Sequence, residues 1–468
     1  MGLAGARGGF EGKNFADLPA PWAARSEKDA QRSRAANQGT AEIPSDVPRR
    51  GLRSRGRPAL DVMNGVTPSI DPAQARELLE GLGEEARRFR FEVAPNPCVG
   101  AAILAGGEVI GRGFHRVWGG PHAEVEAIAD AEASGVPRDR WDALVVTLEP
   151  CSSTGKTGPC VQAILDAGIS HVVVGAADPD PRHRGQGLDQ LRAAGVEVLV
   201  DPVPAPLERV APHFLRWSDR DRVRRPRPWT VAKWAQTLTG QLSPPAEVGD
   251  GRWISSGASL EEVQVLRGRV DAIVTGVGTI LADDPRLTLR RSSVPLSADG
   301  TEALPLGGPA SSAGAPSGPA TPPSRIVLDS WLRTPPEARV FAEPEGGERG
   351  GEVHVLTLPG ADPIRRRALE AAGAKIHFVR GAKRQSLDLR AAWGWLWEQG
   401  FRRVMLESGP TLLRNALEAG FVDQLRVYTG SVRGGEGETL AGWLVEAPLE
   451  ERMHRESGSD AVLEAFLG

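Results

Sequence analysis

The stretch Gly119-Gly120-Pro121-His122-Ala123-Glu124, answered downstream by Glu149-Pro150-Cys151 and Gly158-Pro159-Cys160, decides how the first half of this chain is read. One imidazole and two thiolates make three borderline-to-soft ligands, the number a catalytic zinc takes when its fourth position is left to water. Glu124 is not needed to complete that tripod, so its carboxylate is free to move protons. Both thiols follow a proline and stand at expected loop-to-helix junctions, and His122 heads its own expected helix over residues 122–133. Helix N-termini stabilise thiolate anions through unpaired N–H groups and the helix dipole. A lone His-x-Glu, or a lone buried cysteine, would carry little weight. Their conjunction points to a metal-dependent hydrolytic site.

Length and composition bound the rest. At 468 residues the chain exceeds one ordinary core, and roughly two or three domains are expected. An apolar fraction of 40% can bury cores, while 56 Gly and 38 Pro imply long unpacked segments. The formal charge of -4 is nearly neutral for this length, which argues against a general grip on nucleic acid. Three cysteines are too few for a disulfide framework, and that usage fits the reducing cytoplasm. No run of about eighteen apolar residues occurs, so no membrane span is expected. Residues 1–70, rich in Gly, Ala, Arg and Pro, are expected to be disordered. A transit peptide, diluted by Glu11, Asp17, Glu27 and Asp29, or a translation start near Met63, are the alternatives.

Taken in order, the folded pattern begins with Asp71 as N-cap and Pro72 at the first helical position of a helix over 73–91. The turn Pro95-Asn96-Pro97 leads to a hairpin of strands 99–104 and 109–114 across Gly106-Gly107. Helix 122–133, strand 143–148, helix 159–167, strand 171–175, helix 187–194 and strand 196–200 complete a layered α/β domain over 71–202. A Pro/Arg-rich linker is expected at 203–226. The second domain, 227–468, opens with strand 229–235. Helix 260–269, strands 272–275, 325–328, 353–357 and 375–378, helix 387–399 and strand 403–406 follow. Residues 292–324 are low-complexity Pro/Ala/Gly/Ser and read as an inserted surface loop.

Charge dictates a mechanism for the first site. Zinc lowers the pKa of its water towards about 7. Glu124 would take that proton and deliver it to a ring nitrogen and a leaving amine, the division of labour in zinc nucleobase deaminases. The segments Pro95-Asn96-Pro97-Cys98-Val99-Gly100, Gly113-Phe114-His115, Gly120 to Glu124, and Thr147-Leu148-Glu149-Pro150-Cys151-Ser152, continuing through Gly155-Lys156-Thr157 to Pro159-Cys160, resemble the riboflavin-biosynthesis deaminase family. Asp178-Pro179, Gly185 and Gly187 continue the match, and the wide cysteine spacing departs from the Cys-x-x-Cys of most cytidine and tRNA adenosine deaminases. The resemblance implies a cytidine-deaminase-like three-layer α/β/α fold. It implies Zn2+ on His122, Cys151 and Cys160, Glu124 as the catalytic carboxylate, and a pocket lined by Asn96 and His115, with Lys156 near the substrate or its phosphate. A hydrogen-bonded structural histidine is the alternative for His115, and Cys98 is expected in the core. Ser153 and Gly158 depart from the histidine and proline common in the family.

The second half has no Gly-x-Gly-x-x-Gly after its first strand, which argues against a Rossmann dinucleotide site. Its motifs resemble the reductase fused to this deaminase in many bacteria: Arg227-Pro228-Trp229 to Lys233, Thr237-Leu238-Thr239-Gly240, Trp253-Ile254-Ser255, and Leu266-Arg267. Gly276 to Pro285, Leu287-Thr288-Leu289-Arg290, Arg325 to Ser330, Glu407-Ser408-Gly409-Pro410-Thr411-Leu412 and Val422-Asp423 complete the set. That resemblance implies a dihydrofolate-reductase-like α/β fold. It implies substrate contacts from Lys233, Gly251, Arg267, Leu287, Arg290 and Glu407, and NADPH contacts from Ala235, Trp253, Thr279, Asp283, Ser330, Gly409, Pro410 and Thr411. Arg267 and Arg290 offer forks for a ribose-phosphate dianion. Glu407-Ser408-Gly409 closes a strand before a helix, where backbone N–H groups can hold a pyrophosphate. Thr239 stands where the family has aspartate, and Ser408 where it has glycine.

The expected protein is therefore a bifunctional cytoplasmic enzyme of riboflavin biosynthesis. It would deaminate a diaminohydroxy-pyrimidine carrying a ribosylamino phosphate, then reduce the ribosyl group to ribityl with NADPH. A small phosphoribosyl-pyrimidine is the expected partner, in a homo-oligomer with no nucleic acid or membrane. Two alternatives stand beside it: an active deaminase with an altered reductase, and a structural-zinc nucleotide-binding protein. A closed structural site has no use for a free carboxylate such as Glu124.

Overall fold

The computed structural model describes residues 70–153, 158–200, 227–245, 254–290, 321–382 and 386–467. The expected disordered segment through residue 69, the linker at 203–226, most of the insertion at 292–324, and the site candidates Lys156, Gly251 and Trp253 lie outside them.

The chain enters through α1 (Pro72–Ala86), where the Asp71 carboxylate accepts the Gln74 N–H at 3.4 Å and proline occupies the first turn. The helix expected to run to residue 91 breaks at Phe89, whose backbone leaves the helical region, and resumes as α2 (Arg90–Val93). Strands β1 (Gly100–Ala105) and β2 (Glu108–Phe114) form the hairpin. Then α3 (Ala123–Ala133), β3 (Ala143–Val146), α4 (Cys160–Asp166), β4 (His171–Val174), α5 (Gln186–Ala193) and β5 (Glu197–Val200) follow. The sheet order is β2-β1-β3-β4-β5, with β1 antiparallel to both neighbours and β3, β4 and β5 parallel.

Strand alternation divides this sheet into two apolar faces. Ala102, Leu104, Val145 and Val173 pack with Leu79 and Leu82 of α1. Ala101, Ile103, Leu144, Val146 and Val172 pack with Ala127, Ile128, Val161, Ile164 and Leu191 of α3, α4 and α5. The result is the expected α/β/α sandwich. A Cβ on Gly113 would stand 2.1 Å from the Ala123 carbonyl oxygen, so only glycine lets β2 pass this close beneath the start of α3.

The second sheet is built from β6 (Trp229–Gln236), α6 (Gly257–Arg267), β7 (Ala272–Gly276), α7 (Val277–Asp283), β8 (Ser324–Leu328), β9 (Val353–Thr357), α8 (Pro363–Ala371) and β10 (Ala374–Phe378). It continues with α9 (Leu389–Glu398), β11 (Arg403–Leu406), α10 (Pro410–Glu418), β12 (Gln424–Thr429), α11 (Ala441–Glu446), β13 (Leu449–Ser457) and β14 (Asp460–Leu467). Its nine strands run β10-β9-β8-β7-β11-β6-β12-β14-β13. They are parallel from β10 through β12, and β14 pairs antiparallel with both β12 and β13. The insertion expected to end at residue 324 stops short of it, because Ser324 already pairs with Ala272 as the first residue of β8. The pattern missed α8 for a physical reason: Leu369 is its one buried residue, so it shows no apolar stripe. The carboxyl ends of β6, β7, β8 and β11 share one edge of the sheet, where open α/β sheets bind ligands. Both sheets belong to one compact unit, joined where Phe91 and Ala94 enter the apolar cluster of Trp229, Val231, Met405 and Tyr428.

Candidate active sites

Three elements deliver the metal ligands. His122 occupies the N-cap position of α3, and Cys160 is the first residue of α4. Cys151 corrects the expectation that both thiols head helices, since it sits in the loop after β3. The helix still serves it: the Cys160 N–H, in the first turn of α4, donates to Cys151 Sγ at 3.4 Å. His122 Nδ1 stands 3.6 Å from Cys151 Sγ and 3.2 Å from Cys160 Sγ, and the three ligand atoms lie within 4.8 Å of one another. A tetrahedral zinc with nitrogen at ~2.1 Å and sulfur at ~2.3 Å separates such atoms by about 3.6 Å, so the donor set fits the ion. Of the two adjacent thiols, Cys151 is held well below its ordinary value, first by its hydrogen bond with the Cys160 side chain, and Cys160 is pushed up in return. Glu124, 3% exposed in the first turn of α3, has its carboxyl raised to about 6 by burial against the opposing pull of His122.

His115 answers to its structural alternative. Its Nδ1 faces the Pro121 carbonyl at 2.9 Å and must donate there, because a carbonyl only accepts. Its Nε2 then accepts from Asn96 Nδ2 at 3.2 Å, and burial holds the ring neutral by lowering its pKa to about 4. His115 thereby braces the residue before His122 and orients the Asn96 amide, whose oxygen has no hydrogen-bond donor among the described residues. The motif residues quoted only for resemblance also find causes. Glu149 accepts the N–H groups of Asp178, Gly185 and Gly187 at 2.9, 2.9 and 3.0 Å, tying down the loop that carries Cys151. A Cβ on Gly187 would meet the Pro150 carbonyl oxygen at 2.0 Å. Cys98 is buried in the core as expected, and burial pushes its thiol to about 11.

In the second sheet the structure brings Lys233, Arg267 and Glu407 together and revises one role. The Arg267 fork expected to meet phosphate is occupied: its Nε and Nη2 donate to Glu407 at 2.7 and 2.9 Å, and its Nη1 to the Thr288 carbonyl at 2.8 Å. Burial alone would raise the Glu407 carboxyl, but Arg267 and then Lys233 hold it below its usual value. Lys233 is lowered by burial, with Glu407 opposing. Arg290, whose side chain is 54% exposed, has a loose ion pair with Glu348 at 3.6 Å and keeps much of its guanidinium facing solvent. Buried Leu287, at φ 53, is held in the left-handed region beside this group.

The expected cofactor residues are dispersed along the carboxyl edge. Ala235 lies on β6, Asp283 ends α7 with its carboxyl raised by burial, and the Ser330 hydroxyl accepts from the Leu387 N–H at 3.2 Å. Gly409 caps α10, but its N–H donates to the Thr279 hydroxyl at 2.9 Å, and Pro410 has no N–H. The donors at this helix start that would be left for a pyrophosphate are the Thr411 and Leu412 N–H groups and the Ser408 hydroxyl, since the Leu413 N–H already donates to the Gly409 carbonyl at 3.2 Å. The Ser408 hydroxyl is buried without a hydrogen-bond partner among the described residues, which suits a bound cofactor. Thr239, the departure from aspartate, accepts the Gly434 N–H at 2.9 Å, a task that a carboxylate oxygen could equally perform. Two aspartates of this half are structural: the motif residue Asp423 takes a bidentate grip from Arg227 at 2.7 Å, and Asp271, just before β7, accepts the N–H groups of Arg402 and Arg403 at 2.8 Å.

Comparison with known proteins agrees with both folds. Residues 73–176 match the cytidine and deoxycytidylate deaminase zinc-binding region, and residues 228–463 match the RibD C-terminal domain. The chain is 32% identical over 357 residues to the riboflavin biosynthesis protein RibD of Aquifex aeolicus, covering 76% of this chain and 86% of that protein. It is 34% identical over 348 residues to RibD of Escherichia coli, covering 73% and 84%. A solved structure of Acinetobacter baumannii RibD superposes with a TM-score of 0.57 at 25% identity, over 85% of this chain and 99% of that one. The Thermotoga maritima diaminohydroxyphosphoribosylaminopyrimidine deaminase/5-amino-6-(5-phosphoribosylamino)uracil reductase gives a TM-score of 0.55 at 25% identity, with coverage of 85% and 99%. With a cytidine-deaminase-like zinc site in its first half and a RibD C-terminal reductase fold in its second, this chain belongs to the RibD family of riboflavin biosynthesis proteins.

Proposed function

We propose that the chain carries out two consecutive steps of riboflavin biosynthesis, a hydrolytic deamination by residues 71–202 and an NADPH-dependent reduction by residues 227–468, with 203–226 as linker. The substrate is a diaminohydroxy-pyrimidine bearing a ribosylamino phosphate, the class named for the Thermotoga relative. The observation that carries the reading is the convergence of His122, Cys151 and Cys160 within 4.8 Å, with buried Glu124 two residues from the histidine. Zinc held there supplies a water acidified towards about 7. Glu124 relays the two protons of the water in turn, one to the ring nitrogen and one to the departing amine, so that one C–O bond forms, one C–N bond breaks and ammonia leaves. Asn96 presents its amide oxygen to the pyrimidine, and the neutral His115 holds that amide in place.

For the second step NADPH, when bound, supplies hydride to C1 of the ring-opened ribosyl group. Glu407, held by Arg267, and Lys233 orient the sugar, and the open Arg290 takes the phosphate. The Lys233 ammonium, destabilised by burial, gives the proton that accompanies reduction. The same reading makes the enzyme a cytoplasmic homo-oligomer acting on a small molecule, independent of nucleic acid and membrane. Three unpaired cysteines support that compartment, and no helix among the described residues is long and apolar enough to cross a membrane. Replacing Glu124 by glutamine tests the first step: zinc content stays at the wild-type level while ammonia release falls by about 100-fold or more. Full turnover in that variant overturns the mechanism.

A further inference from the structure

The junction between the two sheets bears directly on the first active site. The short helix α2 reaches out of its own layer into the reductase fold, where Phe91, 1% exposed, packs with Trp229, Val231, Met405 and Tyr428. Arg269 and Arg403 hold their guanidinium carbons 4.9 and 5.6 Å from the centre of its ring. Glu92 pairs with Arg269, and its carbonyl accepts the Trp118 N–H at 3.0 Å. Arg90, also buried, pairs with Glu451 of β13 at 2.9 Å. Arg269 is lowered to about 10 by burial, then by Arg426 and Arg403, with Glu464 opposing, and the paired Glu92 adds a second carboxylate to this crowded cluster of cations.

The other end of the same segment enters the zinc pocket. The Asn96 N–H donates to the Val93 carbonyl at 2.8 Å, one residue beyond Glu92. The Asn96 side chain donates to His115, which donates in turn to the Pro121 carbonyl next to the ligand His122. Pro95 and Pro97 flank Asn96 and fix their own φ angles, so the turn has little freedom to absorb a displacement.

We propose that Arg269, a residue of the reductase fold, is a positioning residue for deamination: by holding Glu92 it fixes the turn that presents Asn96 to the pyrimidine. The inference rests on Asn96 contacting substrate, as proposed above. It makes one helix end serve both sites, because Arg267, two residues earlier, holds Glu407 in the reductase pocket.

Steady-state ammonia release by the full-length, zinc-loaded enzyme tests it. Glu92→Gln and Arg269→Met each raise KM for the pyrimidine by about tenfold and change kcat by less than about twofold, and Arg269→Lys, which keeps a cation, recovers most of the loss. Asn96→Ala is the control. A raised KM in Asn96→Ala with none in Glu92→Gln or Arg269→Met overturns the proposal and leaves the reading of Asn96 intact. An unchanged KM in Asn96→Ala overturns that reading itself. A fall in kcat that tracks loss of zinc also overturns the proposal, since it marks collapse of the metal site. Should Arg269→Met fail to fold, the near-isosteric Glu92→Gln decides alone.

Discussion

Replacing Arg267 by methionine removes three hydrogen bonds at once, two to Glu407 and one to the Thr288 carbonyl. The side chains of Arg267 and Glu407 are only 10% and 14% exposed, so the stranded carboxylate cannot recover its interactions from water. Breaking one side of such a buried pair costs about 3–5 kcal/mol. For a fold of this size each kcal/mol lowers the transition by roughly 2–4 °C, which places the expected fall at about 6–20 °C. The cost comes mainly from the stranded charge rather than from lost volume. Removing the charge as well, in Arg267→Met with Glu407→Gln, should therefore return about 2 kcal/mol or more relative to the sum of the single changes. Denaturant unfolding of the four proteins of this cycle, followed by tryptophan fluorescence, measures the coupling. In parallel, the pKa of Glu407 rises in Arg267→Met because its first counter-charge is gone, leaving Lys233 and Arg290 as the cations that still oppose burial. A loss below about 1 kcal/mol in the single variant, or simple additivity in the double, would refute the argument that this pair holds the reductase pocket together.

Two further outcomes are expected. His354, facing His377 at 3.0 Å, is lowered from 6.5 to about 4, first by burial and then by His377, so the fold holds it neutral. The unfolded chain binds its proton below 6.5 and the folded chain does not until about 4, so stability is full above 6.5 and declines as pH falls through that window, by about 2 kcal/mol at pH 5. Denaturant midpoints between pH 7 and 5 check this, and a slope unchanged in His354→Phe would be the contrary result. Gly187→Ala pushes a methyl group against the Pro150 carbonyl, 2.0 Å away, and must shift the loop bearing Cys151. We expect zinc affinity to fall by about 10–100-fold in a chelator competition, whereas wild-type affinity would mean that the loop yields without disturbing the ligand.

The sequence by itself determined the chemistry and, as far as β11, most of the order of the elements, while α11 and β12 to β14 went unread. Ligand types, proline and glycine punctuation, and apolar periodicity are local properties, and they placed His122, Glu124, Cys160 and most strands within a residue or two of their observed bounds. Short elements without an apolar stripe, such as α8, left no such trace. Tertiary structure decided where each side chain's hydrogen bonds go, because that depends on partners far along the chain. Arg267 meets Glu407 across 140 residues and is thereby withdrawn from phosphate binding. Cys151 takes its helix-end stabilisation from the turn at Cys160 rather than from a helix of its own. His115 becomes a brace because Pro121 and Asn96 claim both ring nitrogens. Glu92 finds Arg269 across 177 residues, in the other half of the molecule. A residue's charge is written in its sequence, but the counter-charge that buries with it is chosen by the fold.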